Sequence, residues 1–173
     1  KNVIAFDKDG VICKSSTAED SMRTWFIDNS NKDDYRGDIH GAMVGADVFI
    51  GVSAPNVLKE EDVKAMASGS IVFALANPDP EIDPAVARKY ATVVATGRSD
   101  QPNQINNVLA FPGIFRGLLD ANANKITDEL LVAAAEAIAD CVTSSQLNAS
   151  FIVPSVFDPQ VVLKVASAVK KSV

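Results

Sequence analysis

Four short apolar runs stand out along the chain, each closed by polar or turn-forming residues. Val3-Ile4-Ala5-Phe6 ends at Asp7 and then Gly10. Asp47-Val48-Phe49-Ile50-Gly51 is closed by Ser53-Ala54-Pro55. Ser70-Ile71-Val72-Phe73-Ala74-Leu75-Ala76 is closed by Asn77-Pro78, and Thr92-Val93-Val94-Ala95 by Thr96-Gly97-Arg98. Runs that are apolar on both faces predict strands of a parallel sheet covered by helices on each side. Ile152-Val153 is apolar but too short to assign.

Helical spacing lies between and after these runs. Ser16-Thr17-Ala18-Glu19 fits a capping box, followed by Met22, Trp25 and Phe26 at helical intervals. Glu60 to Ala67 predicts a helix stopped near Gly69, and Pro84 to Tyr90 a short helix with proline in its first turn. Thr127 suits an N-cap, with Asp128 and Glu129 at the positive end of the helix dipole. Leu131, Ala134, Ala135, Ile138 and Val142 then form the expected apolar face. Asp158-Pro159 opens a last helix with Val162, Val165, Ala166 and Val169 inward. The polar stretch Asp28 to Gly37 predicts a loop. Strands alternating with helices mean βαβ units, right-handed crossovers and an α/β fold.

Composition narrows the class. At 173 residues the chain is one domain, or one with an appendage, and long enough for a core without staples. It carries 16 Lys+Arg against 22 Asp+Glu, a formal charge of −6. That balance offers no footprint for a nucleic-acid backbone or an anionic membrane surface. No apolar run reaches the roughly 18 residues of a membrane span. Cys13 and Cys141 form no CxxC and no disulfide framework, so a reducing, cytoplasmic setting is expected. The chain opens on Lys1 and enters an apolar run at once, which predicts the C-terminal piece of a longer protein.

In an open parallel sheet ligands bind beyond the carboxyl ends of the strands. Asp7 stands at such an end, where a carboxylate accepts both adenosine ribose hydroxyls and repels a 2′-phosphate. Lys8 beside it softens that preference. A turn-capping Asp suits the same position. No G-x-G-x-x-G is present, so a ribose-binding Asp7 places that glycine turn roughly 20 residues upstream, beyond Lys1. Around Ser53 small residues allow close backbone approach, either to a cofactor or within a tight turn. The Asn77 amide, restricted by Pro78, suits a carboxylate or carboxamide, or an Asx-turn. Between the fourth run and an apolar helix, Asn103-Gln104-Ile105-Asn106-Asn107 holds four side-chain amides in five residues. Capping uses one or two; the rest point to a ligand.

The ordered set Phe6-Asp7-Lys8-Asp9-Gly10, Gly45 to Ser53, Ile71 to Pro78, Thr96 to Asp100 and Asn103 to Gly117 resembles malic enzymes. These oxidise and decarboxylate malate to pyruvate and CO2 with a nicotinamide cofactor and a divalent metal. The form of the last motifs is similar to the smaller, prokaryote-type members. The resemblance implies a Rossmann-like parallel sheet lacking its first strand and glycine-rich turn, plus C-terminal helices. Residues 1–120 would be a partial NAD-binding domain. Residues 121–173 would be a helical segment packed on it or on the missing catalytic region. It implies cofactor contacts from Asp7, Lys8, Ser53, Asn77 and Asn106, and substrate contacts from Asn77 and Asn107. NAD is the expected cofactor, with NADP possible. The family's tyrosine acid, lysine base and Mg2+ or Mn2+ ligands belong to the region upstream, so no catalytic or metal residue is assigned within this chain. Tyr35 and Tyr90 match no family motif, nor do the lysines. Asp33-Asp34 read as a solvated turn, His40 as packing or surface, and Asp79 and Glu81 as a turn leading into a helix. The segment Thr17 to Arg36 matches no family motif. A homodimer or homotetramer is expected, with no nucleic-acid or membrane partner. Two other readings stay open: a non-catalytic nucleotide-binding module, and another Rossmann dehydrogenase.

Overall fold

A computed structural model describes residues 2–173; Lys1 lies outside the described residues. The chain runs β1 (Phe6–Asp7), β2 (Gly10–Val11), α1 (Ser21–Asn29), α2 (Ile39–Ala42), β3 (Val48–Gly51), α3 (Glu60–Lys64), β4 (Ile71–Ala74), α4 (Pro84–Ala87) and β5 (Val93–Thr96). A 3-10 turn (Asn107–Leu109), α5 (Phe111–Asp120), α6 (Asp128–Ala139) and α7 (Pro159–Lys171) follow. The second, third and fourth apolar runs form the predicted parallel sheet, in the order β3-β4-β5. Gly51 pairs with Ala74, and Ala74 with Thr96, so the three carboxyl ends are level.

The first run departs from the expectation. Phe6–Asp7 does not join the parallel sheet but folds back on Gly10–Val11 as a two-residue antiparallel hairpin. The physical reason lies in the turn. Asp7 Oδ1 accepts from the Asp9 amide at 2.9 Å, and Gly10 takes a φ of +112° that residues with a Cβ avoid. Helix α1 also begins later than the capping box predicts. Asp20 caps it directly, accepting from the Arg23 amide at 2.7 Å. The polar loop after it is ordered around buried Asn31. Its amide donates to the Ile12 and Tyr35 carbonyls, and its oxygen accepts from the Tyr35 amide. Helices α3 and α4 form within their predicted segments but stop at Lys64 and Ala87.

Two cores stabilise the chain. One packs Val72, Ala74 and Val94 of the sheet against Met43, Leu58, Val63, Met66, Ile82 and Ala87. Strand β4 buries one face, Val72 and Ala74, while Ile71 and Phe73 on the other are only half-buried, short of the two-faced burial its pattern predicts. Strand β3 is not: Val48 is 48% and Ile50 64% exposed, because nothing among the described residues covers that face. The second core joins α5, α6 and α7 through Ile114, Leu118, Leu130, Ala134, Val161, Val165 and Val169.

Thr127 caps α6 as predicted, accepting from the Leu130 amide at 3.3 Å. Its buried face is Leu130, Ala134 and Ala137, however, while Leu131 and Ala135 point to solvent. In an alanine-rich helix the two registers differ by one residue, and Leu130 fits the α5–α7 core. On α7 the inward set is Val161, Val165, Ala166 and Val169, with Val162 half-buried.

Glycines set the α5–α7 crossing. A Cβ on Gly113 would lie 2.5 Å from Val165 Cβ, and one on Gly117 2.7 Å from both the Ala166 carbonyl oxygen and Val169 Cβ. Glycine costs about 1 kcal/mol in a helix interior, so close packing must offset it. Gly117→Ala therefore loses about 1–3 kcal/mol by overpacking, despite its better helix propensity. Urea unfolding checks this; an unchanged or raised midpoint would refute the close-crossing account.

Candidate functional site

Because the strands end level, the residues after β4 and β5 meet at one edge. A cleft of about 320 Å3 opens there, lined by Asn77 and Pro78 on one side and Gly97, Arg98, Asp100 and Gln104 on the other. The Asn77–Pro78 peptide is cis. A Cβ on Gly97 would meet only the Ile105 carbonyl oxygen, at an ordinary 3.9 Å, so packing does not require glycine at this edge of the cleft. After the β5 exit the chain returns to the strand end. Gln104 bridges to Thr96, and the Ile105 amide donates to the Thr96 carbonyl at 2.8 Å. Asn106 and Asn107 follow at once. Asn77 and the Asn106-Asn107 pair thus stand at the same end of the sheet.

The amide-rich stretch divides by task. Asn103 is buried and structural: its Nδ2 donates to the Val94 and Ala149 carbonyls at 3.1 and 2.8 Å, and its Oδ1 accepts from the Ile152 amide at 2.9 Å. It ties β5 to the C-terminal segment. Asn106 caps the 3-10 turn, accepting from the Val108 amide at 3.0 Å, which leaves its NH2 group for other partners. Asn107 is exposed. Two of the asparagines therefore have internal duties, and Asn77 and Asn107 project outward.

Asp7 and Lys8 stand on the separate hairpin and do not line the cleft. Asp7 is paired with Arg23, whose Nε also donates to the Thr17 carbonyl at 2.9 Å. The guanidinium offsets the carboxylate charge on which the expected preference for NAD rests. Each Asp7 oxygen has one partner and keeps a lone pair for a hydroxyl.

Ser53 is held by a residue to which the sequence alone assigned no such role. Glu81, expected in a turn leading into α4, is fully buried. Its Oε1 accepts from the Ser53 amide at 2.9 Å and the Ser53 hydroxyl at 3.2 Å, and its Oε2 accepts from the Ala76 amide at 3.0 Å. Asp83, not Glu81, caps α4. The available signal was Glu81 lying between Pro80 and Ile82, a poor setting for a solvated acid.

The remaining candidates have local partners. His40 Nδ1 meets Asp62 Oδ2 at 2.8 Å beside the start of α3. Tyr35 and Tyr90 donate to the Asp38 carbonyl and to Glu60. Asp33 accepts from Asn2, and Asp34 from Arg36 and the Lys14 amide. No group of three metal-ligating side chains occurs among the described residues. No helix among them is long and apolar enough to cross a membrane.

A parallel α/β sheet with a polar cleft beyond its strand ends puts that cleft where open α/β folds bind their ligands. Comparison with known proteins makes this specific. The family model "Malic enzyme, NAD binding domain" matches residues 1–173, and the chain belongs to that family. It is 53% identical over 169 residues to the NAD-dependent malic enzyme of Geobacillus stearothermophilus, covering 98% of this chain and 35% of that protein. It is 38% identical over 189 residues to the NADP-dependent malic enzyme of Salmonella typhimurium, covering 99% of this chain and 24% of that one. The crystal structure of NAD-dependent malic enzyme from Thermotoga maritima superposes with a TM-score of 0.90 at 45% identity, over 98% of this chain and 45% of that chain. The chain thus spans less than half the length of these relatives.

Beside the cleft, Arg98 donates twice to Asp100, at 2.9 and 2.7 Å, which holds the Asp100 carboxyl down to about 2 from an ordinary 3.8. A lowered folded-state value means that the pair stabilises fully above about 3.8 and is lost as pH falls through about 2. A carboxyl NMR titration should give an Asp100 midpoint near 2 that rises toward 3.8 in Arg98→Gln. An ordinary midpoint in the unsubstituted protein would contradict the pairing.

Proposed function

We propose that this chain is the NAD-binding part of a malic enzyme that converts malate to pyruvate and CO2. The observation that carries the reading is that Asn77 lines the cleft after β4 while Asn106-Asn107, outside that lining, follow the Ile105–Thr96 hydrogen bond at the end of β5, within a chain of that family. We assign residues 1–120 to a partial dinucleotide-binding domain and 121–173 to its helical extension.

The residues fit a dinucleotide by donor type. Asp7 offers acceptors for ribose hydroxyls, the small-residue turn at Ser53 allows close approach, and the amides of Asn77 and Asn106 match a carboxamide. NAD, when bound, takes the hydride from C2 of malate. The chain's own part is orientation. Asn107 and Asn77 hold the carboxylate and hydroxyl end of malate without competing for its protons, and Asn106 faces the nicotinamide. Lys8 lies at the ribose end. Fixing two reactants in register removes a large entropic share of the barrier.

The acid, the base and the Mg2+ or Mn2+ ligands come from residues outside this chain. NADP remains admissible, since Arg23 offsets the charge on Asp7 and relatives of both cofactor types match. A cytoplasmic location and a homodimeric or homotetrameric assembly belong to the same reading.

In the full-length protein, replacing Asn106 and Asn107 together by Ala should cut kcat/KM for malate about ten- to a hundredfold, the loss of a hydrogen bond to a charged group. Unchanged turnover would favour a nucleotide-binding module instead. Asp7→Ser should shift the ratio of NAD to NADP affinity toward NADP. An unaltered ratio removes Asp7 from the ribose site.

A further inference from the structure

We propose that Glu81 is a positioning residue for the dinucleotide mouth, and that it leaves Ser53 able to act on a ligand only as an acceptor. The proposal rests on the cofactor reading above and deepens it. The side chain joins two strand exits at once, Ser53 after β3 and Ala76 after β4, just before Asn77. The backbone around it holds the same loop: the Asn56 amide donates to the Pro80 carbonyl at 3.2 Å and the Leu58 amide to the Glu81 carbonyl at 2.9 Å.

The strand facing it is shaped to fit. A Cβ on Gly51 would lie 2.5 Å from Glu81 Oε1, so only glycine leaves room for the carboxylate. Among the described residues no Lys, Arg or His side chain pairs with Glu81; two amides and one hydroxyl stabilise it instead. A buried acid is expensive, and one satisfied wholly by loop donors fixes those loops in a single arrangement.

The consequence is chemical. With its amide hydrogen and hydroxyl proton both donated to Glu81, Ser53 has only oxygen lone pairs to offer. That suits a donor group, such as a ribose hydroxyl or a carboxamide NH2, and excludes a phosphate oxygen. Ser53 therefore suits the sugar or amide parts of the dinucleotide and not its pyrophosphate.

Glu81→Gln in the full-length protein tests this. A Gln side chain has one acceptor and one donor, so it must release either Ser53 or Ala76. The dissociation constant for NAD, measured by titration, should rise at least tenfold. Adding Ser53→Ala should then weaken NAD binding by less than Ser53→Ala does alone, because Glu81 acts on the cofactor through Ser53. A smaller rise or an additive double variant overturns the proposal. Should Glu81→Gln fail to fold, Ser53→Ala carries the test, because both amide bonds remain. A threefold or greater weakening of NAD with unchanged malate KM supports the proposal, and a lesser one overturns it. Unsubstituted protein that binds no NAD refutes the cofactor reading itself. NAD binding indifferent to Glu81→Gln refutes only this inference.

Discussion

Parallel pairing with level ends is the constraint on which the rest of this structure depends. Gly51, Ala74 and Thr96 lie side by side, so each connecting segment leaves the sheet at the same edge. The central strand sets this geometry, since Val72 and Ala74 are buried between β3 and β5 and against the first core. A one-residue slip would turn those side chains to the opposite face and separate the three exits. The candidate site residues sit on loops, but the sheet places them.

Buried polar groups do the finer positioning. Glu81 ties the exits of β3 and β4, and Asn103 ties β5 to the C-terminal segment. Thr96, also buried, receives the returning chain through its carbonyl before Asn106 and Asn107. Each such group loses hydration on burial and is repaid only when its hydrogen bonds are complete. Beyond the sheet, α5, α6 and α7 form a second core that fixes the residues following the amide stretch. Its close helix crossing depends on Gly113 and Gly117, where a side chain would strike α7.

Much of this is legible in the sequence. Continuous apolar runs closed by Ser53, Asn77 and Thr96 read correctly as parallel strands, because short apolar runs rich in β-branched residues and closed by turn formers mark strands even where one face stays open. Thr127 reads correctly as a cap and Asp158-Pro159 as a helix start, because the residues that begin a helix act locally. What is not legible depends on non-local partners. Val3 to Phe6 has the pattern of a sheet strand, yet the Asp7–Gly10 turn returns the chain on itself. The α6 face shifts by one residue, since only its packing on α5 and α7 selects Leu130 over Leu131. Glu81 and Asn103 resemble turn and ligand residues; their partners lie up to 49 residues away, beyond any spacing rule.

The family assignment and the level strand ends together define where a dinucleotide should lie. A crystal structure of the full-length protein with NAD bound tests this most directly. The account predicts the dinucleotide across the carboxyl ends of β3, β4 and β5, touching the turn at Ser53 and reaching Asn77 and Asn106. A dinucleotide seated at the opposite edge of the sheet, or away from these exits, would contradict it.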